Sequence, residues 1–382
     1  MEPICKIMTQ QSIAKLAKIS WEFPNAKTRT LTHGYHPFHG KFIPQIPRTI
    51  IEHLTKPGDT VLDPFCGSGT ALIEANTADR NVIGVDISPI AVLISKVKTT
   101  FIDPKKLQEE SEKLEEMIKN KKARAVIPDF PNSEVWYNKK TLQELGNIWG
   151  QILTYKKKDQ DIFDFFQIAF SSILKSVANR SESWNWAFIG DNLLPKIDKY
   201  VDPHKYFFNT MNRMIAGMKE FEAVKTKKTT KILQIDTREL SKHLKSKKVN
   251  LIITSPPYCF AIDFNRYYRL SYYWFDWEIN KNRDIEIGAR SKRGKKDAVD
   301  GYFSDMEDAI KELYKVLADD GYCCFTLGDT KRDNKTIAAV ERTIQMALKE
   351  GFKLINHTYR ELSQQSMPQK RILKEAVLIF KK

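Results

Sequence analysis

No run of about 18 consecutive apolar residues occurs in the chain, so a helix long enough to cross a bilayer is not expected. The opening MEPICKIMTQQSIAKLAKIS also lacks the long apolar centre of an export signal, which makes the cytoplasm the expected address. Cysteine is scarce. Cys5, Cys66, Cys259, Cys323 and Cys324 are an odd set with no CxxC pair and no histidine at metal-ligand spacing, a pattern that argues against zinc and against a disulfide framework. No metal is expected. There is no internal repeat, and low complexity is limited to short lysine clusters such as Lys156 to Lys158 and Lys225 to Lys228.

What the chain does have is size and positive charge. Its 382 residues are 42% hydrophobic, enough for one large core or for a catalytic domain with a sizeable second lobe. The formal charge of +15 suits a polyanionic partner, although lysine-rich surfaces also serve solubility alone.

Periodicity divides the chain. The stretch KPGDTVLDPFCGSGTALIEANTADRNVIGVDIS reads as a buried strand (Thr60 to Leu62), a glycine-bearing loop, a helix (Ala71 to Thr77) and a second buried strand (Val82 to Val85). Such a βαβ unit belongs to a parallel sheet. A second block near Lys231 runs strand (KILQID), helix (TRELSKHLKSK) and apolar β-branched strand (VNLIIT) into the loop SPPY. Ser304 to Leu317 has helical spacing, GYCCFTLGD reads as a strand, and EGFKLINHTYRE with ILKEAVLIFKK forms a closing strand pair. The expected fold class is therefore α/β, a doubly wound sheet whose last strands are antiparallel. The segment 101–230 has a different texture, with charged or apolar-periodic helices, and is expected to be a mostly helical insertion domain between the second and third strands. Arg283 to Gly301 lacks periodicity and is expected to be a mobile surface loop.

Two loops carry the chemistry. Asp63-Pro64-Phe65-Cys66-Gly67-Ser68-Gly69-Thr70 follows a strand and opens a helix, where a nucleotide-like ligand meets the carboxyl end of a parallel sheet. Gly67 and Gly69 allow close backbone approach, but the loop is neither GxGxxG nor followed by GK[ST], so a pyrophosphate cradle is disfavoured. Asp86 ends the next strand, placed to accept ribose hydroxyls, and Asp236 ends the third, within reach of an adenine amino group. Together they describe an adenosine pocket without phosphates. The alternative for these acids is plain helix capping. Thr254-Ser255-Pro256-Pro257-Tyr258 ends a buried strand in two prolines, which stiffen the loop and leave its carbonyls free to accept hydrogen bonds. An amino-group substrate suits such a loop; the alternative is an ordinary tight turn.

DPFCGSGT, VIGVDIS and TSPPY resemble the cofactor and catalytic motifs of the amino-methylating DNA methyltransferases, which modify N6 of adenine or N4 of cytosine. His36-Pro37-Phe38-His39-Gly40-Lys41-Phe42, with IPRTIIEHL after it, is similar to the family segment that closes over the methionine end of the cofactor. Serine as the first letter of SPPY resembles the N4-cytosine branch. The likeness covers roughly 33–100 and 231–382; it implies a Rossmann-like methyltransferase catalytic domain over 1–100 and 231–382, with the insertion 101–230 as the candidate target-recognition lobe. It further implies S-adenosylmethionine as cofactor, bound by His36, Phe38, Lys41, Phe42, Asp63, Pro64, Phe65, Gly67, Gly69, Thr70, Asp86, Ile87, Asp236 and Thr237.

The expected activity is site-specific methylation of cytosine N4 in double-stranded DNA after base flipping, as part of a restriction-modification system. Ser255 and the Pro256 carbonyl would take the amino protons, with Pro257 stiffening the loop and Tyr258 stacking on the base. Arg266, Arg269, Arg290, Lys292, Arg293, Lys295 and Lys296 are the candidate DNA contacts, the last five as a phosphate-tracking strap; solvated surface is the alternative for that strap. The aromatics from Tyr258 to Trp277 either hold an extruded base or pack in the core, and Trp184 and Trp186 read as core or lobe-interface residues. His36 and His39 either touch the methionine moiety or are ordinary hydrogen-bonded histidines. Competing functions are adenine-N6 or RNA guanine-N2 methylation and, from another class, a non-catalytic DNA-binding specificity partner. The oligomeric state is left open between monomer and homodimer.

Overall fold

The computed structural model describes residues 11–41, 43–179, 199–244, 248–279, 281–294, 296–332, 335–361 and 374–382. After α1 (Gln45–Leu54), the first block supplies β1 (Thr60–Asp63), α2 (Thr70–Thr77), β2 (Asn81–Asp86) and α3 (Pro89–Thr99). Helices α4 (Pro104–Lys119), α5 (Lys139–Leu153), α6 (Gln160–Ile173) and α7 (Pro203–Glu222) follow, before β3 (Thr230–Gln234) and α8 (Leu240–Leu244). The second half adds β4 (Val249–Thr254), α9 (Phe264–Tyr267), α10 (Arg269–Trp274), α11 (Ala298–Val316) and β5 (Leu317–Leu327). A small antiparallel hairpin, β6 (Thr330–Arg332) with β7 (Lys335–Ile337), precedes α12 (Ala339–Lys349), β8 (Lys353–Glu361) and β9 (Lys374–Lys381).

The main sheet has seven strands in the order β3-β2-β1-β4-β5-β9-β8. The pairs from β3 through β5 are parallel, and β9 runs antiparallel to both its neighbours. The chain winds outward from β1 in one direction and from β4 in the other, so the order reverses between these two strands. In doubly wound sheets that reversal opens the ligand crevice at the carboxyl ends. The strands read as apolar runs because both faces are covered. Leu62, Ile252 and Cys323 pack on one face, while Val61, Leu251, Ile253 and Cys324 pack on the other. Adjacent Cys323 and Cys324 thus point to opposite layers. None of the described helices is long and apolar enough to cross a membrane.

The helices expected between 101 and 230 form, and aspartates start three of them. Asp103, Asp159 and Asp202 each accept backbone N–H groups at the N-termini of α4, α6 and α7, with proline at the first turn of α4 and α7. Their apolar faces share one core with the catalytic side: Ile90 and Ile94 of α3 and Trp274 of α10 pack in the same cluster as Phe165, Phe166 and Met214.

The Arg283 to Gly301 segment departs from expectation. Glu286 to Ala289 are buried and α11 begins at Ala298, six residues before the predicted start. Its anchors are tertiary: the Gly288 carbonyl accepts from Phe260 N at 2.9 Å, and the Ile262 carbonyl accepts from Arg290 N at 3.3 Å. Periodicity within the segment cannot report such bonds.

Helix α5 also makes a close approach that fixes its sequence. A β-carbon on Gly146 would meet the Ile127 side chain, and one on Gly150 would fall against the backbone carbonyl of Arg124. The segment is tied there by Val126 N donating to the Gly146 carbonyl at 2.9 Å and by Gln151 bonding both backbone groups of Ala123. Gly150→Ala should therefore destabilise the fold by about 1–3 kcal/mol despite the better helix propensity of alanine. Urea unfolding midpoints would show it; a midpoint at or above wild type would refute the close packing.

Candidate active site

Asp63 closes β1 and Thr254 closes β4, the two strands at the reversal. The Thr254 hydroxyl donates to Asp63 Oδ1 at 2.7 Å, and Phe65 N donates to the same oxygen at 3.2 Å. This bond binds the root of the glycine-bearing loop to the root of the two-proline loop. Burial pushes the Asp63 carboxyl up to about 7, although both donors pull it down.

From Asp63 the loop folds back across β2. Cys66 N donates to the Val85 carbonyl at 2.9 Å, and Gly67 N donates to Asp86 Oδ2 at 3.0 Å. Gly67 (φ 48°) and Gly69 (φ 75°) both adopt left-handed backbone. At Gly69 a β-carbon would sit 3.2 Å from the Ser95 Cα, so α3 closes in there. Lys98, fully buried, donates from Nζ to the Ser68 carbonyl at 3.0 Å, and desolvation holds its ammonium well below the usual lysine range. This support is not visible in the pattern of residues, because a lysine in an amphipathic helix reads as surface.

Asp86 accepts from Gly67 N and, through Oδ1, from Ser88 N at 2.9 Å. Burial pushes it up to about 6. A carboxylate at the end of β2, a left-handed glycine loop packed under Phe38 and Ser95, and the buried Ser68 hydroxyl lacking a partner among the described residues fit a neutral-to-cationic adenosine ligand. S-Adenosylmethionine is the cofactor that this donor and acceptor set suits. The Thr237 hydroxyl donates to the Pro64 carbonyl. Phe65 is partly buried, Thr70 starts α2, and the Ile87 carbonyl accepts from Asn282 Nδ2 at 2.7 Å and from Gln234 Nε2 at 3.3 Å.

Asp236 behaves as the capping alternative describes. It accepts from Arg238 N at 2.9 Å and pairs with the Arg238 guanidinium, which also engages Asp305 and the Ile285 carbonyl. The 282–289 segment, most of it expected as part of a mobile surface loop, is instead tied at Ile87, Arg238 and Phe260.

Beyond β4, Ser255 is partly exposed and Pro256 is buried. The Pro257 carbonyl accepts from the Tyr302 hydroxyl at 3.0 Å. Tyr258 donates to Glu375 Oε1 at 2.8 Å and approaches the Thr326 carbonyl at 3.3 Å. Neither Tyr302 nor Glu375 was singled out from sequence, where one is an aromatic in a helix and the other a charge beside a strand.

The upstream segment packs close by. The Phe38 ring lies 3.0 Å from where a Gly67 β-carbon would be, and it stacks with Phe264 and Tyr268. Lys41 Nζ donates to the His33 carbonyl at 3.3 Å. His36 is an ordinary hydrogen-bonded histidine: buried, held between the Pro37 carbonyl and the Ser171 hydroxyl at 2.9 Å each, and pushed by burial down to about 3. Phe42, Trp184, Trp186 and Lys295 lie outside the described residues.

Arg269 requires correction as a DNA contact. It is 4% exposed, with its guanidinium 5.7 Å from the Trp136 ring, so a phosphate cannot reach it here. Arg266 and Lys296 are exposed, and Arg290, Lys292 and Arg293 are partly so, with Lys292 Nζ donating to the Asp284 carbonyl. Most aromatics after the two-proline loop fill the core: Tyr268, Tyr272, Trp274 and Phe275 are buried, and Trp274 and Phe275 pack on Phe170 and Trp149 of the insertion.

A family model described as DNA methylase matches residues 8–97 and 249–382, more than half of the chain. Another, described as an RMKL-like methyltransferase domain, matches 53–154. The chain is 26% identical over 409 residues to the type II methyltransferase M.MvaI of Kocuria varians, spanning 91% of this chain and 88% of that protein. It is 24% identical to the type II methyltransferase M.MjaII of Methanocaldococcus jannaschii, over 84% of this chain and 77% of that one. A tRNA (guanine(10)-N2)-dimethyltransferase of the latter organism is 44% identical over 54 residues, 14% of this chain and 15% of that protein. Among solved structures, TrmN from Thermus thermophilus is similar at 12% identity and a TM-score of 0.38, covering 90% of this chain and 50% of that one.

The two raised carboxyls set a pH dependence. Their folded values of about 7 and about 6 exceed the ordinary 3.8, so between those limits the folded protein holds protons that the unfolded chain has lost. Glu286, pushed by burial up to about 8, acts in the same direction, so stability without cofactor should fall as pH rises from about 4 to about 8. Asp63→Asn, which keeps an acceptor for Thr254, should flatten the fall by on the order of 2 kcal/mol. Unfolding midpoints at pH 5 and pH 8 test this; an unchanged difference between them in the variant would refute it.

Proposed function

The chain belongs to the DNA methylase family of S-adenosylmethionine-dependent methyltransferases, and from that premise we propose that it methylates N4 of cytosine in double-stranded DNA. The observation that carries this reading is the Asp63 to Thr254 bond, which sets SPPY beside the cofactor loop at the sheet reversal. When bound, S-adenosylmethionine supplies an electrophilic methyl group on a sulfonium centre. Asp86 would hold the ribose hydroxyls, and the left-handed Gly67 and Gly69 would bring loop backbone against the cofactor. Ser255 Oγ and the Pro256 carbonyl would accept hydrogen bonds from the two N–H groups of the target amine, turning its lone pair towards the methyl group, which passes from sulfur to nitrogen. The Tyr258 ring stacks on the extruded base. Solvent removes the proton once positive charge has developed on nitrogen, so neither Cys66 nor Cys259 acts as a nucleophile.

Serine at position 255 favours cytosine over adenine. The net charge of +15 and the exposed Arg266 and Lys296 favour a polyanion, and the insertion 101–230 is the candidate reader of the target sequence. The type II names of M.MvaI and M.MjaII favour a role beside a restriction nuclease.

Incubation with methyl-labelled cofactor and DNA, followed by digestion to nucleosides, should place label in N4-methyldeoxycytidine. Label in N6-methyladenine would overturn the base, and label on RNA alone would overturn the substrate. Asp86→Ala should weaken cofactor binding by about tenfold or more. Tyr258→Ala should leave cofactor binding within about twofold and cut turnover by roughly 100-fold. Equal losses of cofactor binding in both variants would show that the division of roles is wrong.

A further inference from the structure

The closing strand pair carries a buried charge pair for which the transfer chemistry above has no use. Glu375 stands at the head of the apolar run Ala376 to Phe380, and its antiparallel partner on β8 is Arg360. Both are nearly inaccessible, at 8% and 7% exposure. Arg360 Nη1 donates to Glu375 Oε2 at 3.2 Å, while Glu375 Oε1 accepts from the Tyr258 hydroxyl at 2.8 Å. The carboxylate therefore spans two partners, one on each oxygen. Burial pushes its carboxyl up, and Arg360 and the Tyr258 hydroxyl pull it back towards the ionised form.

Stability gives little reason for this arrangement. A buried ion pair rarely outperforms well-packed apolar residues, and Arg360 Nε has no partner among the described residues. Position gives a better one. Leu327, the last residue of β5, pairs with Ala376, so Glu375 lies just past the end of β5, at the edge from which the two-proline loop emerges. Pro256 and Pro257 fix backbone torsions, but they leave the two side-chain torsions of Tyr258 free. A hydroxyl held by a charged acceptor removes that freedom, because charge-assisted bonds are shorter and stronger than neutral ones.

We infer that Glu375, itself held by Arg360, is a positioning residue that locks the Tyr258 ring in the plane in which it receives the acceptor base. This rests on the assignment of Tyr258 as the stacking residue. Glu375 touches neither base nor cofactor in this role and acts through the phenol alone.

The test compares variants that share the loss of charge and differ in the acceptor. Arg360→Met with Glu375→Gln keeps an oxygen for the Tyr258 hydroxyl and leaves no buried charge unpaired. Arg360→Met with Glu375→Leu removes that acceptor as well and leaves the hydroxyl only its longer bond to the Thr326 carbonyl, at 3.3 Å. The first should turn over within about threefold of wild type, and the second should lose about tenfold in kcat with cofactor affinity unchanged. Tyr258→Phe alone, which leaves the charge pair intact, should show the same loss, and adding it to the Leu variant should cost nothing further. Spectra of selectively labelled tyrosine, with Tyr258→Phe assigning the signal, give a readout independent of turnover. The Tyr258 resonance should move less in the Gln variant than in the Leu variant. Equal turnover of the Gln and Leu variants, full activity of Tyr258→Phe, or a resonance that moves as far in the Gln variant as in the Leu variant would overturn the inference. Turnover is scored on whichever base the wild type methylates, so label on a base other than cytosine would sink the substrate reading while leaving this one to its own result.

Discussion

A single hydrogen bond between the hydroxyl of Thr254 and the carboxyl of Asp63 holds the working edge of this molecule together. The two residues end neighbouring parallel strands, and each begins a loop with its own task. Were the strand ends free to shift by one residue, the register between Val61 and Leu251 would be lost and side chains would exchange faces. The bond also has an energetic cost. Burial, with the nearby Asp86, raises the Asp63 carboxyl to about 7 against the pull of Thr254 and Phe65. A site that bears a buried, poorly compensated carboxyl is built for a ligand.

Much of this was legible in the chain because the physics there is local. Buried parallel strands show as short apolar runs, so Thr60 to Leu62 and Val249 to Thr254 could be placed without coordinates, and the glycines and prolines of the two loops announce unusual backbone. The reversed direction of the closing strands also followed from spacing. Illegible features were those decided by a distant partner. Asp236 looks like a ligand-binding acid until Arg238 folds onto it. Arg269 looks like a phosphate contact until its helix packs against Trp136. The 282–289 segment looks solvent-bound because its bonds to Ile87, Arg238 and Phe260 cross large separations in sequence. Glu375 carries a charge whose purpose depends on a tyrosine more than a hundred residues earlier.

The helical segment between β2 and β3 is joined to the catalytic side by packing. Its aromatic residues Trp149 and Phe170 pack against Phe275 and Trp274, tilted in the first pair and edge-on in the second, and the Ser171 hydroxyl bonds both His36 and Ser271. The helix following the two-proline loop is thereby clamped between the insertion and the upstream segment. Close-packed interiors transmit displacement with little loss. An insertion that contacts nucleic acid would therefore be mechanically connected to the wall beside the target base, with no hinge required between reading and reaction.

The pair Cys323 and Cys324 gives the fold an unplanned property. Because they point into opposite layers of β5, and Cys66 and Cys259 are buried too, each of these four thiols is shut away from solvent, and desolvation raises those of Cys66, Cys323 and Cys324 above the ordinary thiol range. Thiolate is the reactive species, so alkylating reagents meet inert sulfur while the layers are closed. The rate at which these positions take up a label accordingly reports how often the sheet opens, layer by layer, and serves as an internal clock of unfolding.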